Sequence, residues 1–165
     1  MNIKRMTKHL LTSEWQVHRH FPVATLTAIE QEIKTSETLH SGEIRFVVEG
    51  ALDGVQLFKN QTAQARAIDI FSQLRIWDTE LNNGVLIYLL LADRDIEIIA
   101  DRGIYNKVGS EEWEKICVIM ENYFKENNFH QGVTAGIDAV TQLLKKHFPI
   151  ANNDKNELSN KPVIM

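Results

Sequence analysis

Cysteine and long apolar runs are scarce in this chain, and each scarcity excludes a class of protein. The single cysteine, Cys117, cannot form an intramolecular disulfide or a zinc cage of several thiolates, so a reducing, cytoplasmic location is expected. The longest apolar run, residues 85–92, is far shorter than the ~20 residues of a membrane-spanning helix. Leu10 and Leu11 alone are too short for the apolar core of a signal peptide. We therefore expect a soluble protein that does not insert into a membrane.

Charge of one sign is not concentrated anywhere in the sequence. Acidic and basic residues are interleaved, and the formal net charge is −4. The absence of a basic stripe disfavours nucleic acid and anionic membranes as partners. With 165 residues and 44% hydrophobic content, the chain is long enough for one well-buried domain and short for two.

Hydrophobic periodicity predicts an alternation of helices and strands. The run over residues 85–91 has no polar side, which is typical of a strand buried on both faces of a sheet. Helices must therefore cover both of its faces. The predicted elements are helices over residues 22–38 and 63–74, strands over 43–48, 85–91 and 96–100, a helix capped by Ser110, and a last helix that closes at 145–147.

The composition changes after Pro149. Residues 151–156 read Ala-Asn-Asn-Asp-Lys-Asn, which cannot bury enough apolar surface to offset the entropy cost of ordering. We therefore predict one domain over residues 1–149, with its core at about residues 22–148, and a mobile C-terminal tail over residues 150–165.

The direction of the predicted strands places three polar bends together. A helix joins the first two strands as a crossover, which makes them parallel. A short hairpin at residues 92–95 then reverses the third strand. The end of the third strand therefore lies at the same edge of the sheet as the beginnings of the first two. We call this edge the polar rim; it comprises residues 40–43, 79–84 and 101–103.

The polar rim carries residue types that bind cations and small ligands. Glycines permit close backbone approach, and carboxylate and amide oxygens are the ligands that Ca²⁺ and Mg²⁺ prefer. In the alternative interpretation, the glycines make turns and the Asn and Asp side chains satisfy nearby backbone groups. The predicted metal ligands are Glu80, Asn82 and Asp101. The predicted ligand-binding residues are Ser41, Gly42, Glu43, Asn82, Asn83, Gly84, Arg102 and Gly103.

The histidines and the cysteine that could take part in metal binding or catalysis are interpreted as structural or exposed residues. His18 and His20 form a His-x-His pair, but no third zinc ligand lies close in sequence, so packing or exposed histidines are favoured. Cys117 falls at an apolar helical position and is expected in the core. No phosphate-binding loop or phosphatase nucleophile motif is present, and no nucleotide or organic cofactor is indicated.

Four segments resemble motifs of the TPM domain family. Residues 82–98, NNGVLIYLLLADRDIEI, resemble the centre of TPM domains, where Asn/Asp-Gly precedes an apolar strand and a short charged hairpin. Residues 41–44, SGEI, look like the family's Thr/Ser-Gly start of the first strand, and residues 75–78, RIWD, look like the end of its second helix. Residues 129–136 resemble its Phe-x-x-Gly pattern opening the last helix. The resemblance runs over about residues 22–148.

This resemblance implies an α/β fold: a three-layer α/β/α sandwich with a small mixed sheet of about four strands and helices on both faces. It also implies a family label that mentions phosphatase activity, and divalent-metal binding in some members. The sequence departs from the family pattern where Asp101-Arg102-Gly103 replaces the Gly-aromatic-Gly turn of many members. We expect a soluble member, without the signal peptide or the C-terminal membrane helix that many carry.

Two functional hypotheses follow. The favoured one is a ligand- or protein-binding module whose polar rim holds Ca²⁺ or Mg²⁺. The alternative is a metal-assisted phosphatase acting on phosphate esters, in which rim carboxylates hold the cation and Arg102, the candidate catalytic residue, neutralises developing charge.

Overall fold

The computed structural model describes residues 3–151 and 154–165, which contain eight helices and four strands. Residues 1–2 of the predicted domain and residues 152–153 of the predicted tail lie outside this description. Within the described residues, no helix combines the length and the apolar character needed to cross a membrane. The elements are α1 (Ile3–Leu11), α2 (Glu14–His20), α3 (Val23–Ser36), β1 (Glu43–Glu49), α4 (Gly54–Phe58), α5 (Ala63–Gln73), β2 (Gly84–Leu90), β3 (Asp95–Ala100), α6 (Arg102–Val108), α7 (Ser110–Lys125), α8 (Phe129–His147) and β4 (Val163–Ile164).

The four strands form one mixed sheet in the order β3-β2-β1-β4. β1 and β2 are parallel, with Glu43 opposite Gly84, as expected for strands joined through a helix. β3 runs antiparallel to β2, with Val85 opposite Ala100, because only a short turn connects them. β3 is therefore an outer strand of the sheet.

Alternate residues of β2 pack on opposite faces of the sheet. One set joins an apolar cluster with α2, α3, α6, α7 and α8, and the other joins a smaller cluster with α4 and α5. Burying each large apolar side chain stabilises the fold by roughly 1.5–3 kcal/mol. The predicted three-layer α/β/α sandwich is therefore confirmed. The first set is Val85, Ile87 and Leu89, and the second is Leu86, Tyr88 and Leu90; all six are fully buried.

The short helices α4 and α6 are not among the elements predicted from the sequence pattern. In α4, the Gln56 amide donates to the Asp53 carboxylate at 2.9 Å and the Asp53 amide donates to the Gln56 side chain at 3.0 Å, which forms a capping box. α6 begins directly after Asp101. Helices of one or two turns have too little periodicity to stand out in a sequence. The prediction that Ser110 caps a helix is wrong, because Gly109, at φ +85°, holds the cap position of α7.

The C-terminal residues 157–165 lie against the sheet, which corrects the prediction of a mobile tail for this part of the chain. β4 pairs in parallel with the second half of β1, and the Gly50 amide donates to the Met165 carbonyl at 2.9 Å. Leu158 and Val163 pack against the smaller apolar cluster. Composition is a poor guide here because the edge of β1 offers unpaired backbone groups, and a few apolar residues suffice to bring the chain to them.

Candidate functional site

The three bends of the polar rim lie side by side. Glu43 and Gly84 are register partners at the first residues of β1 and β2. Asp101 follows β3 directly, and its amide donates to the Gly84 carbonyl at 2.9 Å. The structure thus brings together the segments that the strand directions place at this edge.

Asn83 connects the first two bends. Its side chain is 1% exposed, and Nδ2 donates to the Ser41 carbonyl at 2.7 Å. Its amide donates to the Thr79 hydroxyl at 3.1 Å. The side-chain oxygen Oδ1 is also buried, yet no described residue donates a hydrogen bond to it. A buried oxygen left in this state typically costs ~1–3 kcal/mol, so a donor or cation at Oδ1 would stabilise the fold.

Of the two side-chain oxygens of Asp101, one accepts a hydrogen bond and the other has no partner among the described residues. Oδ1 accepts a hydrogen bond from the Arg102 amide at 2.7 Å and caps the N-terminus of α6. A carboxylate is favourable at this end of a helix because the exposed amides carry partial positive charge. Oδ2 is buried and has no hydrogen-bond partner among the described residues. Asp101 therefore has a structural role as a cap, and its second oxygen is buried without a partner among the described residues.

Two glycines sit where backbone segments of the rim touch. A Cβ on Gly84 would lie 2.1 Å from the Ile76 carbonyl oxygen, and a Cβ on Gly103 would lie 2.4 Å from the Asn82 carbonyl oxygen. Both neighbours are backbone atoms, which cannot turn aside as a flexible side chain can. Asn82 itself has φ +52°, a left-handed conformation that Asn tolerates better than most residues. Gly103 thus packs α6 directly on the turn before β2.

The buried oxygens suit a divalent cation by type, although they are few. Amide and carboxylate oxygens are the hard ligands of Ca²⁺ and Mg²⁺, and Asn83 Oδ1 with Asp101 Oδ2 supply one of each. Of the other predicted ligands, Asn82 is half-buried and the Glu80 side chain is exposed. In the described ranges, no three His, Cys, Asp or Glu side chains are grouped to hold a metal. A cation here would depend on Asp101, on amide or backbone oxygens, and on water.

Glu43 and Glu80 connect the rim to the C-terminal segment. The buried Glu43 carboxylate accepts hydrogen bonds from the amides of Glu157 at 3.0 Å and Leu158 at 3.1 Å. Burial raises the pKa of Glu43, while these two hydrogen bonds act in the opposite direction. The Glu80 amide donates to the Glu157 carboxylate at 2.8 Å. Glu43, predicted as a ligand-binding residue, is thus placed as an anchor for residues 157–158.

The remaining predicted residues hold the first bend or face solvent. The Ser41 hydroxyl donates to the Pro149 carbonyl at 3.0 Å, and a Cβ on Gly42 would overlap the Leu144 side chain. Both contacts close the end of α8 on the start of β1. The Arg102 side chain is exposed at the beginning of α6.

A buried hydrogen-bond chain supports the first bend, and no sequence motif points to it. His40 Nδ1 accepts from the Gly42 amide at 3.2 Å, so Nε2 carries the proton and donates to the Ser36 hydroxyl at 2.9 Å. Ser36 Oγ lies 2.6 Å from Thr141 Oγ1. Burial lowers the pKa of His40 to about 4, which keeps the ring neutral. Because His40 donates to Ser36, it cannot serve as the base that would activate this serine.

The other residues considered from the sequence are packing or surface residues. His18 is exposed, and the His20 ring packs on Phe129 with centroids 4.3 Å apart. Cys117 is half-buried, and burial raises the pKa of its thiol to about 12, so it stays protonated at neutral pH.

Fold and rim together define an α/β/α domain with a polar edge at the start of its parallel strands. The chain belongs to the TPM domain family, whose family model matches residues 20–143. A similar solved structure is the BA42 protein of the psychrophilic bacterium Bizionia argentinensis, at 33% identity and a TM-score of 0.75 over 86% of this chain and 93% of that one. The N-terminal domain of a protein from P. gingivalis, at 18% identity and a TM-score of 0.59 over 78% of this chain and 81% of that one, shows the fold alone. Comparison with curated proteins gave no match.

Proposed function

We propose that this TPM domain is a cytoplasmic, non-enzymatic binding module that takes up Ca²⁺ or Mg²⁺ at the polar rim and presents it to a small ligand or a protein partner. The supporting observation is the pair of buried oxygens, Asn83 Oδ1 and Asp101 Oδ2, that lack hydrogen-bond partners among the described residues. Local turn chemistry accounts for Asn83 Nδ2, which donates to the Ser41 carbonyl, and for Asp101 Oδ1, which accepts from the Arg102 amide, but not for these two oxygens.

Asp101 would supply the charge of such a site and Asn83 an amide oxygen. Glu80 and Asn82 remain predicted ligands from the neighbouring turn. A site with a single buried carboxylate is expected to bind weakly, with a Kd of about 10⁻⁴–10⁻³ M, because affinity for Ca²⁺ rises with the number of charged ligands.

Thermal melting with CaCl₂, MgCl₂ or EDTA tests the proposal. At a cation concentration about ten times the Kd, the stabilisation is RT ln(1 + [L]/Kd), or about 1.4 kcal/mol. For a chain of this size, that raises the Tm by roughly 3–6 °C. Asp101→Asn is the informative variant because Asn is also a good N-cap, so the substitution removes the charge and keeps the cap.

The matched control is Asp53→Asn, which makes the same substitution at the N-cap of α4, beyond the other end of β1. We expect the wild type and Asp53→Asn to show the full cation shift, and Asp101→Asn to lose most of it while melting near the wild type in EDTA. A wild type that melts at one temperature in all three conditions, or an Asp101→Asn variant with the full shift, would refute the cation site.

A metal-assisted phosphatase is the second candidate, favoured by the exposed Arg102 directly after Asp101. The bound cation would polarise a phosphoryl oxygen, and Arg102 would neutralise the charge that develops on the phosphoryl group. Hydrolysis of p-nitrophenyl phosphate in the presence of Mg²⁺ is the assay. Turnover that both Asp101→Asn and Arg102→Gln abolish would favour the enzyme, whereas a wild type with a cation shift and no turnover would favour the binding module.

A further inference from the structure

We propose a second binding site, which would take an organic phosphate. It lies at the ends of the parallel strands opposite to the polar rim. A cavity of about 550 Å³, which we call the basic cavity, lies just beyond the end of β2, where Leu91, Ala92 and Arg94 contribute to its wall. This volume falls in the range of about 300–1,000 Å³ typical of small-molecule sites. β2 ends here, and the carboxyl ends of parallel strands are a frequent place for ligands in open α/β sheets.

Two cationic side chains and a histidine line the basic cavity. Lys8 comes from α1, His20 from α2 and Arg94 from the β2–β3 turn. None of the described residues that line the cavity is an Asp or a Glu. The pKa of His20 is lowered first by burial and then by the charges of Arg19 and Arg94. Positive charges gathered in a concave surface favour an anion there.

Two acids, Asp93 and Asp95, flank Arg94 in the chain. Asp95 belongs to β3 and does not line the basic cavity, and Asp93 already has partners. The Asp93 carboxylate accepts a hydrogen bond from Arg5 Nε at 2.8 Å and lies 3.2 Å from His9 Nε2. His9 Nδ1 accepts from the Leu52 amide at 3.0 Å, which leaves Nε2 as the protonated nitrogen of the neutral ring; Nε2 lies close to Asp93 without forming a hydrogen bond to it. Asp93 therefore joins α1 to the β2–β3 turn, and its charge is engaged there instead of compensating the basic cavity.

Arg94 is held in an unusual backbone conformation. Its φ is +54°, a left-handed value that is uncommon for residues other than glycine. Its guanidinium donates to Asn127 Oδ1 at 3.0 Å, which restricts the side chain. This value belongs to the tight turn between β2 and β3, and the contact with Asn127 positions the Arg94 cation at the edge of the cavity.

The lining indicates the chemistry of the ligand. Leu91 and Phe129 form apolar parts of the wall, and the His20 ring packs on Phe129. A phosphate monoester matches both parts, since its doubly charged head can contact both Lys8 and Arg94 and its organic group can lie on the apolar surface. A planar carboxylate carries half that charge and has fewer acceptor oxygens.

Phenyl phosphate is a suitable probe, with calorimetry and amide NMR as readouts. Arg94→Gly removes the guanidinium, and glycine readily adopts the left-handed conformation, so the fold should be retained. We expect this variant to bind phenyl phosphate at least about tenfold more weakly than the wild type. In the wild type, the amides of Leu91 and Ala92 should shift on titration.

Two further variants test whether binding is specific to the basic cavity. Lys146→Gln removes an exposed positive charge in the last turn of α8, the helix that begins at Phe129, and should bind as the wild type does. Asp101→Asn, at the polar rim, should also leave binding unchanged, so the two sites can fail independently. No binding by the wild type, an equal loss in Lys146→Gln, or benzoate bound as tightly as phenyl phosphate would overturn the proposal.

Discussion

Replacing Gly84 by alanine tests whether the polar rim depends on direct backbone contact. A Cβ at this position would lie 2.1 Å from the Ile76 carbonyl oxygen and 3.0 Å from the Ile76 Cγ2 atom. Ile76 is fully buried, and its amide donates to the Phe71 carbonyl at 3.0 Å. Gly84 is held from the other side by the hydrogen bond that its carbonyl accepts from Asp101. Neither segment can move away without weakening a hydrogen bond.

We expect Gly84→Ala to lower the free energy of unfolding by about 2–4 kcal/mol. Overpacking usually costs about 1–3 kcal/mol and sometimes more, and a clash with a buried backbone oxygen lies at the severe end. Alanine also restricts the unfolded chain, which offsets roughly 0.4–1 kcal/mol of the loss. The displaced bend should also weaken the response to Ca²⁺ or Mg²⁺, because the neighbouring Asn83 moves with it.

Urea denaturation measures the effect, with Gly54→Ala as the matched control. Gly54 is the first residue of α4, and a Cβ there would have no neighbour within 4 Å among the described residues. Gly54→Ala should be neutral or stabilise by up to ~1 kcal/mol. If Gly84→Ala unfolds at the same urea concentration as Gly54→Ala with an unchanged m-value, the close contact is not a constraint and the reasoning is refuted.

Two further predictions concern β3 and β4, the outer strands of the sheet. Burial first, then the charges of Asp95 and Glu121, raises the pKa of Glu97 from 4.5 to about 7. The pKa of Glu97 is higher in the folded protein than in the unfolded chain, so ionisation of Glu97 disfavours the folded state. The contribution of Glu97 to stability is therefore lost as the pH rises from about 4.5 to about 7. Glu97→Gln should therefore raise the Tm more near pH 8 than near pH 5, and an equal gain at both would contradict this. Deleting residues 163–165 should lower the free energy of unfolding by about 1–3 kcal/mol and speed hydrogen exchange at the Gly50 amide; unchanged exchange would show that this amide does not depend on the deleted residues.

Much of the sheet can be predicted from the sequence because local patterns report it. The unbroken apolar run over residues 85–91 indicates burial on both faces, and β2 has it. The crossover and the hairpin then determine strand directions, which suffice to place Glu43, Gly84 and Asp101 at one edge. These inferences need only periodicity and connection length.

The rest of the rim depends on tertiary contacts that periodicity does not encode. Nothing in the sequence shows that the Glu43 carboxylate receives the amides of Glu157 and Leu158. By composition, the polar residues that follow Pro149 indicate a tail, because they include few apolar side chains. Composition does not show that the backbone of β1 offers hydrogen-bond partners to this segment. Likewise, the sequence does not show that the packing leaves Asn83 Oδ1 and Asp101 Oδ2 without hydrogen-bond partners among the described residues.

The way in which the sheet ends has a consequence for solubility. At one side, β4 is only two residues long but covers the second half of β1. At the other side, β3 carries the half-buried acids Asp95 and Glu97. Short edge strands and charged side chains on an edge both hinder strand addition by another molecule. A chain without residues 163–165 would expose the backbone of β1 and should be the form that self-associates into aggregates.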